Sequence, residues 1–221
     1  MTEHHLSVQR TARYYTIGKL TERTRNIWFC LHGFGQLAQY FGRKFTDLDD
    51  GQTLIVVPEG LSRLYLNGEY KRVGASWLTR EDKEHEISDF VAYLNSLYDL
   101  LLAGRNASEF HITLLGFSQG AATACRWVDA DHIYADRLIL WAGFFPNGLA
   151  DLINPAKLAS VETYYVYGKQ DEYFKLIDDV PGYLRRLQTE VPKLQITAFE
   201  GGHQVEPTTL TELIRLEQAN R

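Results

Sequence analysis

The sequence predicts an α/β fold: a mostly parallel central sheet with helices on both faces, built as one domain over residues 1–221. Three observations lead there. Short apolar runs alternate with helical stretches from residue 26 onwards, the βα order that brings strands side by side in parallel. Those runs are continuously apolar rather than alternating, as strands covered on both faces require. A chain of 221 residues with 45% hydrophobic and 13% aromatic content can bury one large core.

The elements follow in order. Residues 6–17 alternate apolar and polar positions and are expected to give two short strands; residues 26–31 and 53–57 read as buried strands, with an amphipathic helix over 37–45 between them. The clearest helix spans 84–102, with Ile87, Phe90, Leu94, Leu97 and Leu101 on one face and Gly104 as its stop. The mixed-charge run from Arg80 to Glu86 places acids at its N-terminus, where the helix dipole favours them. Further strands are expected at 111–115, 137–141, 162–167 and 194–199, and helices at 121–128, near 174–188 and at 208–218.

Composition narrows the function. The net charge is −5 with acids and bases interspersed, so nothing suggests nucleic acid or an anionic membrane as a partner. No apolar stretch is long enough to cross a bilayer and the first residues carry no export signal, so a cytoplasmic protein without an integral membrane segment is expected. Cys30 and Cys125 lack any ligand spacing and read as small buried residues, leaving no metal expected.

The strand at 111–115 and the helix at 121–128 enclose Gly116-Phe117-Ser118-Gln119-Gly120. This is the pattern of a nucleophile elbow, in which Ser sits on a strained strand-to-helix turn and Gly two residues either side removes bulk that would clash. The bare pattern is also that of a Gly-rich turn with an ordinary Ser; the flanking elements favour the elbow. Ser118 is then the candidate nucleophile, and the backbone N–H of Gln119, at the positive end of the helix, a candidate oxyanion donor.

Loops leaving the C-terminal ends of parallel strands converge on one rim. Two late loops carry titratable side chains: Gly168-Lys169-Gln170-Asp171 and Glu200-Gly201-Gly202-His203. The order Ser, Asp, His is that expected of an α/β-hydrolase. His203 would act as general base and acid, and Asp171 would fix its tautomer. Asp136, Asp178 and Asp179 are the rival carboxylates. After the strand at 26–31, His32-Gly33-Phe34 supplies a second candidate oxyanion donor, the N–H of Phe34, with the His32 ring read as a structural hydrogen-bonding group.

Leu31 to Gly35, Gly116 to Gly120, Leu140 to Pro146, Gly168 to Asp171 and Gly202-His203 together resemble the phospholipase/carboxylesterase family that includes the acyl-protein thioesterases. The resemblance spans nearly the whole chain. It implies a compact α/β-hydrolase without a cofactor, a triad matching Ser118, Asp171 and His203, and an oxyanion hole matching the N–H groups of Phe34 and Gln119. The expected activity is cleavage of a small-molecule ester or thioester through an acyl-Ser118 intermediate. A serine peptidase or amidase acting on short peptides, or a non-catalytic binding protein on the same fold, are the competing readings. Two departures from the family pattern stand out: Glu172-Tyr173-Phe174 where a Val-Pro pair is common, and Ala121 where Gly is common.

Residues 59–80 are too long for a bare connector and read as an inserted lid or substrate wall. Trp77 with Phe144 or Phe145 is expected to line an apolar acyl or aryl pocket, against the alternative that Trp77 packs the insertion onto the domain. Lys71 and Arg72 read as a solvated face, or else as cations that draw an anionic substrate. An apolar patch at the rim would serve either substrate or a homodimer contact.

Overall fold

The computed structural model describes residues 1–219. Among these, seven strands form one sheet: β1 (Tyr14–Ile17), β2 (Asn26–Leu31), β3 (Thr53–Pro58), β6 (His111–Phe117), β7 (Arg137–Trp141), β8 (Glu162–Gly168) and β9 (Gln195–Phe199). Their spatial order is β1-β3-β2-β6-β7-β8-β9. Only the edge strand β1 runs antiparallel to its neighbour; the other pairings are parallel. Between β3 and β6, a separate hairpin is made by β4 (Ser62–Tyr65) and β5 (Val73–Ser76). The helices are α1 (Ala38–Phe41), α2 (Lys83–Leu101), α3 (Gln119–Asp129), α4 (Val180–Glu190) and α5 (Pro207–Ala219).

The apolar runs are unbroken because successive side chains enter different cores. Ile27, Phe29 and Leu31 of β2 pack with Phe90 and Leu94 of α2, Trp127 of α3 and Leu187 of α4. Trp28 and Cys30 face the other way, with Phe41, Phe45 and, from α5, Leu210 and Leu213. Cys30 and Cys125 are free and buried, one in each core, and burial pushes the Cys125 thiol up to about 12.

Register levels the strand ends. Leu31 lies beside Gly116, Phe117 beside Trp141, and Gly168 beside Phe199, so the loops after β2, β6, β7, β8 and β9 leave along one rim. That alignment brings distant sequence segments together.

Three elements differ from expectation. Residues 6–17 give one strand, not two: pairing of β1 begins at Tyr14 opposite Pro58, the last residue of β3, so earlier residues have no strand to join. Leu6 and Val8 are consequently exposed. The helix expected over 37–45 is α1 followed by a 3₁₀ segment, Gly42–Leu48, where Gly42 brings the backbone onto Val57 of β3. The helix expected near 174–188 is split into a 3₁₀ turn, Phe174–Leu176, and α4. Asp179 caps α4, its Oδ1 accepting the Gly182 N–H at 2.8 Å, and Pro181 stands in the first turn, where its missing N–H costs no helical bond.

The insertion at 59–80 carries the β4–β5 hairpin, and its start is anchored through Glu59. That carboxylate is fully buried, receives Arg13 at 2.7 Å and Arg63 at 2.8 Å, and accepts the Ala38 N–H. Burial alone would raise its pKa; the bonds from Arg63, Arg13 and Ala38 outweigh that and hold it below the usual range.

Candidate active site

The turn from β6 into α3 is as tight as the glycine spacing implies. Ser118 has φ of 54° and ψ of −116°, a conformation non-glycine residues rarely adopt, and its N–H donates to the Trp141 carbonyl at 2.8 Å. A Cβ on Gly116 would overlap the Gly120 backbone, and one on Gly120 would overlap the Leu31 carbonyl. Both glycines are therefore sterically required. Ser118 is half-buried at the N-terminus of α3.

The loop after β2 lies directly against this turn. A Cβ on Gly33 would stand 3.0 Å from the Phe117 ring and 3.2 Å from the Ser118 Cβ. Gln36 shapes the loop, its Oε1 accepting the Gly33 N–H at 3.0 Å, while the Gly35 N–H donates to Ala75. Among the described residues the Phe34 N–H has no protein acceptor. The Gln119 N–H, in the first turn of α3, has no intrahelical acceptor either. Two unclaimed donors thus flank Ser118.

His32 holds this loop from beneath. Its Nε2 accepts the Gly60 N–H at 2.9 Å, so the ring must carry its proton on Nδ1, which donates to the Gly33 carbonyl at 2.8 Å. Burial pushes its pKa down to about 4, outweighing the Gly33 bond and the Glu59 charge that act the other way.

The two late loops are locked backbone to backbone. Lys169 N–H donates to Phe199 and Gln170 N–H to Gly201, both at 2.9 Å, and a Cβ on Gly168 would overlap the Gly201 carbonyl. Trp141 Nε1 donates to the Gln204 carbonyl at 2.8 Å, fixing the residue after His203. The result is a direct contact between His203 Nδ1 and Asp171 Oδ2 at 2.7 Å. Since a carboxylate only accepts, the proton sits on Nδ1 and the neutral ring keeps the Nε2 lone pair free. Asp171 is almost fully buried, and its Oδ1 accepts the Tyr173 N–H at 2.9 Å. The imidazole lies between the rings of Phe117, at 4.9 Å, and Tyr173, at 4.7 Å. His203 is thus adjacent to the elbow, although its ring and the Ser118 hydroxyl are not hydrogen-bonded among the described residues.

Two of the three rival carboxylates are committed elsewhere. Asp179 caps α4, and Asp136 accepts the Ile112 N–H and the Tyr134 hydroxyl.

Trp77 is turned inwards, with Nε1 donating to the His32 carbonyl at 2.8 Å and the ring stacked on His32 and edge-on to Phe90. Phe145 is buried against Tyr165, while Phe144 is exposed beside Tyr183. Of the three residues expected at an acyl pocket, Phe144 alone offers a large open face.

One contact the sequence did not announce is the Gln119 side chain. Its Oε1 accepts the Trp77 N–H at 3.0 Å and its Nε2 donates to the Leu78 carbonyl at 2.8 Å, pinning the end of the insertion to the elbow. On the other side, Gln36 and Ala75 form a β-bridge, tying β5 to the loop after β2.

The sequence profile of the serine hydrolase (FSH1) family matches residues 24–212, from β2 into α5 and through every segment just described. The chain belongs to this family. In fold, the hydrolase is similar to acyl-protein thioesterase 2 of Zea mays (TM-score 0.68, 16% identity, covering 95% of this chain and 99% of that one). It is also similar to SOBER1 of Arabidopsis thaliana (TM-score 0.61, 16% identity, 86% and 96%) and to the Bacillus cereus carboxylesterase (TM-score 0.63, 17% identity, 94% of each). No curated protein matches the sequence. The α/β-hydrolase architecture expected from the sequence is therefore that of the molecule. No helix among the described residues is long and apolar enough to cross a membrane.

Proposed function

We propose that the hydrolase cleaves carboxylic esters or thioesters through an acyl-Ser118 intermediate, with His203 as general base and acid and Asp171 as its orienting carboxylate. The 2.7 Å contact between Asp171 and His203, beside a strained Ser118, carries this reading. Asp171 holds the proton on Nδ1, so Nε2 can take the Ser118 proton as Oγ attacks the acyl carbon. Negative charge then develops on the carbonyl oxygen and is met by the N–H groups of Phe34 and Gln119. Collapse breaks the bond to the alcohol or thiol, which leaves with the proton from His203. Water, deprotonated by the same imidazole, releases the acid and restores Ser118. Catalytic hydrogen bonds are often long before substrate arrives, and the Ser118–His203 bond forms in the complex.

The insertion acts as a wall of the site, since hydrogen bonds to Gln119 and to the loop after β2 hold both its flanks. The test is a panel of matched ester, thioester and amide substrates for the wild type and Ser118→Ala. Turnover of esters and thioesters, with amides far slower, is the expected result, and it is lost in Ser118→Ala. Undiminished turnover in that variant would sink the mechanism, and cleavage of amides alone would make the protein a peptidase.

A further inference from the structure

A groove of about 510 Å³ opens beside the loop after β2, with Gly35 and Gln36 on one wall and Lys44, Lys71 and Arg72 among its other lining residues. Gly35 follows Phe34, the candidate oxyanion donor, and Phe41, another lining residue, stacks on Phe117, whose ring meets His203; the groove thus lies one residue layer from Ser118 and His203, which do not line it. Its cations come from two distant segments. Lys44 stands on the 3₁₀ segment after α1, and Lys71 and Arg72 stand at the turn of the β4–β5 hairpin, brought together by the Gln36–Ala75 bridge. Arg43 adds a fourth cation at the margin, its guanidinium 5.0 Å from the ring of Tyr40, which also lines the groove.

The chain carries a net charge of −5 and pairs several of its cations elsewhere: Arg13 with Glu59, Arg137 with Glu162, Lys157 with Asp129 and Asp131, Arg186 with Glu190. No carboxylate lines the groove, and among the described residues Arg43, Lys44 and Arg72 have no ion-pair partner. Lys71 meets only Glu69, and both side chains of that pair are highly exposed. Like charges drawn together without counter-charges repel one another, which an anionic occupant relieves.

We infer that this groove binds the anionic part of the substrate, so that the preferred ester or thioester carries a carboxylate or a phosphate in its acyl or leaving group. The inference rests on the ester and thioester reading and names the substrate class of that same site. Arg72 can grip such an oxyanion through two N–H groups, and the lysines add point charge. The field also raises the local concentration of anionic substrate at low salt.

The test pairs each anionic substrate with a neutral counterpart: para-nitrophenyl hydrogen succinate with para-nitrophenyl butyrate, and butyryl glycerol phosphate with butyryl glycerol. The first pair reads carboxylate and the second phosphate. The anionic member of at least one pair should have the higher kcat/KM. The anionic-to-neutral ratio should fall roughly threefold to tenfold in Lys44→Glu and in Arg72→Glu, and fall again as salt rises. Equilibrium titration of Ser118→Ala with succinate and with glycerol phosphate, followed by NMR, reads the groove without turnover. Salt-sensitive shifts at Lys44 and Arg72 support it. Binding of these anions without turnover of any ester would remove the ester reading and leave the groove. Neutral esters cleaved with no anionic preference, and no salt-sensitive shifts, would overturn the groove and leave the esterase.

Discussion

Asp171 shows how one side chain sets the chemistry of another. It touches no substrate in the proposed mechanism, yet its Oδ2 is the group that makes His203 present a lone pair instead of a proton. Asn at this position keeps the size but offers an N–H group that can reverse the tautomer. Asp171→Asn should therefore lower kcat by on the order of 10³ to 10⁴ with little change in KM, because the loss falls on proton transfer. Steady-state kinetics on an activated ester checks this; a kcat within threefold of wild type would remove Asp171 from the site. The residues of this scale were the most legible in the sequence where glycine records a steric demand, as in the elbow and in His-Gly. Tyr173 was not legible: its place beside His203 depends on how the loop after β8 folds back, which no spacing records.

At the scale of elements, the hairpin and the elbow are one unit. Gln119 uses both ends of its amide on the Trp77 N–H and the Leu78 carbonyl, groups that the turn after β5 leaves without strand partners. Gln119→Ala keeps the backbone donor but strands the Trp77 N–H, the Leu78 carbonyl still accepting from the Ser76 hydroxyl, at a cost of about 1–3 kcal/mol. Faster hydrogen exchange at Trp77, together with a lower unfolding midpoint, is the expected outcome. Unchanged exchange there would mean that other contacts hold the insertion. Alternation and apolar runs located the sheet strands after residue 26 to within about two residues. They could not show that residues 6–13 lie outside the strand pairing, because that pairing depends on where β3 ends, far along the chain. The hairpin within 59–80 escaped for a related reason: β4 and β5 are four residues each, and their stability comes from docking on the loop after β2.

Across the whole molecule, acid should find its weakness at the buried, fully paired His32 ring beneath the site. Neutral His32 joins the ends of β2 and β3 by accepting from Gly60 and donating to Gly33. Its pKa in the fold is about 4 against an ordinary 6.5, so the unfolded chain binds its proton first. The stabilisation is present above about 6.5 and is lost as pH falls towards 4, amounting to roughly 3 kcal/mol for this group. Urea unfolding across that range should show stability falling with pH, with the slope flattened in His32→Gln. An identical slope in the variant would assign the acid sensitivity to other groups. His32 was read from the sequence as structural, and its partners explain why: both ring nitrogens are already occupied by the backbone.

The central claim is that Ser118 is the nucleophile and that His203 activates it. The most direct measurement is the rate and position of labelling by an activated organophosphonate, located by peptide mass mapping. One adduct on Ser118, absent in Ser118→Ala and formed at least about a hundredfold more slowly in His203→Ala, is the predicted result. An adduct on another residue, or labelling of Ser118 at the wild-type rate without His203, would contradict it.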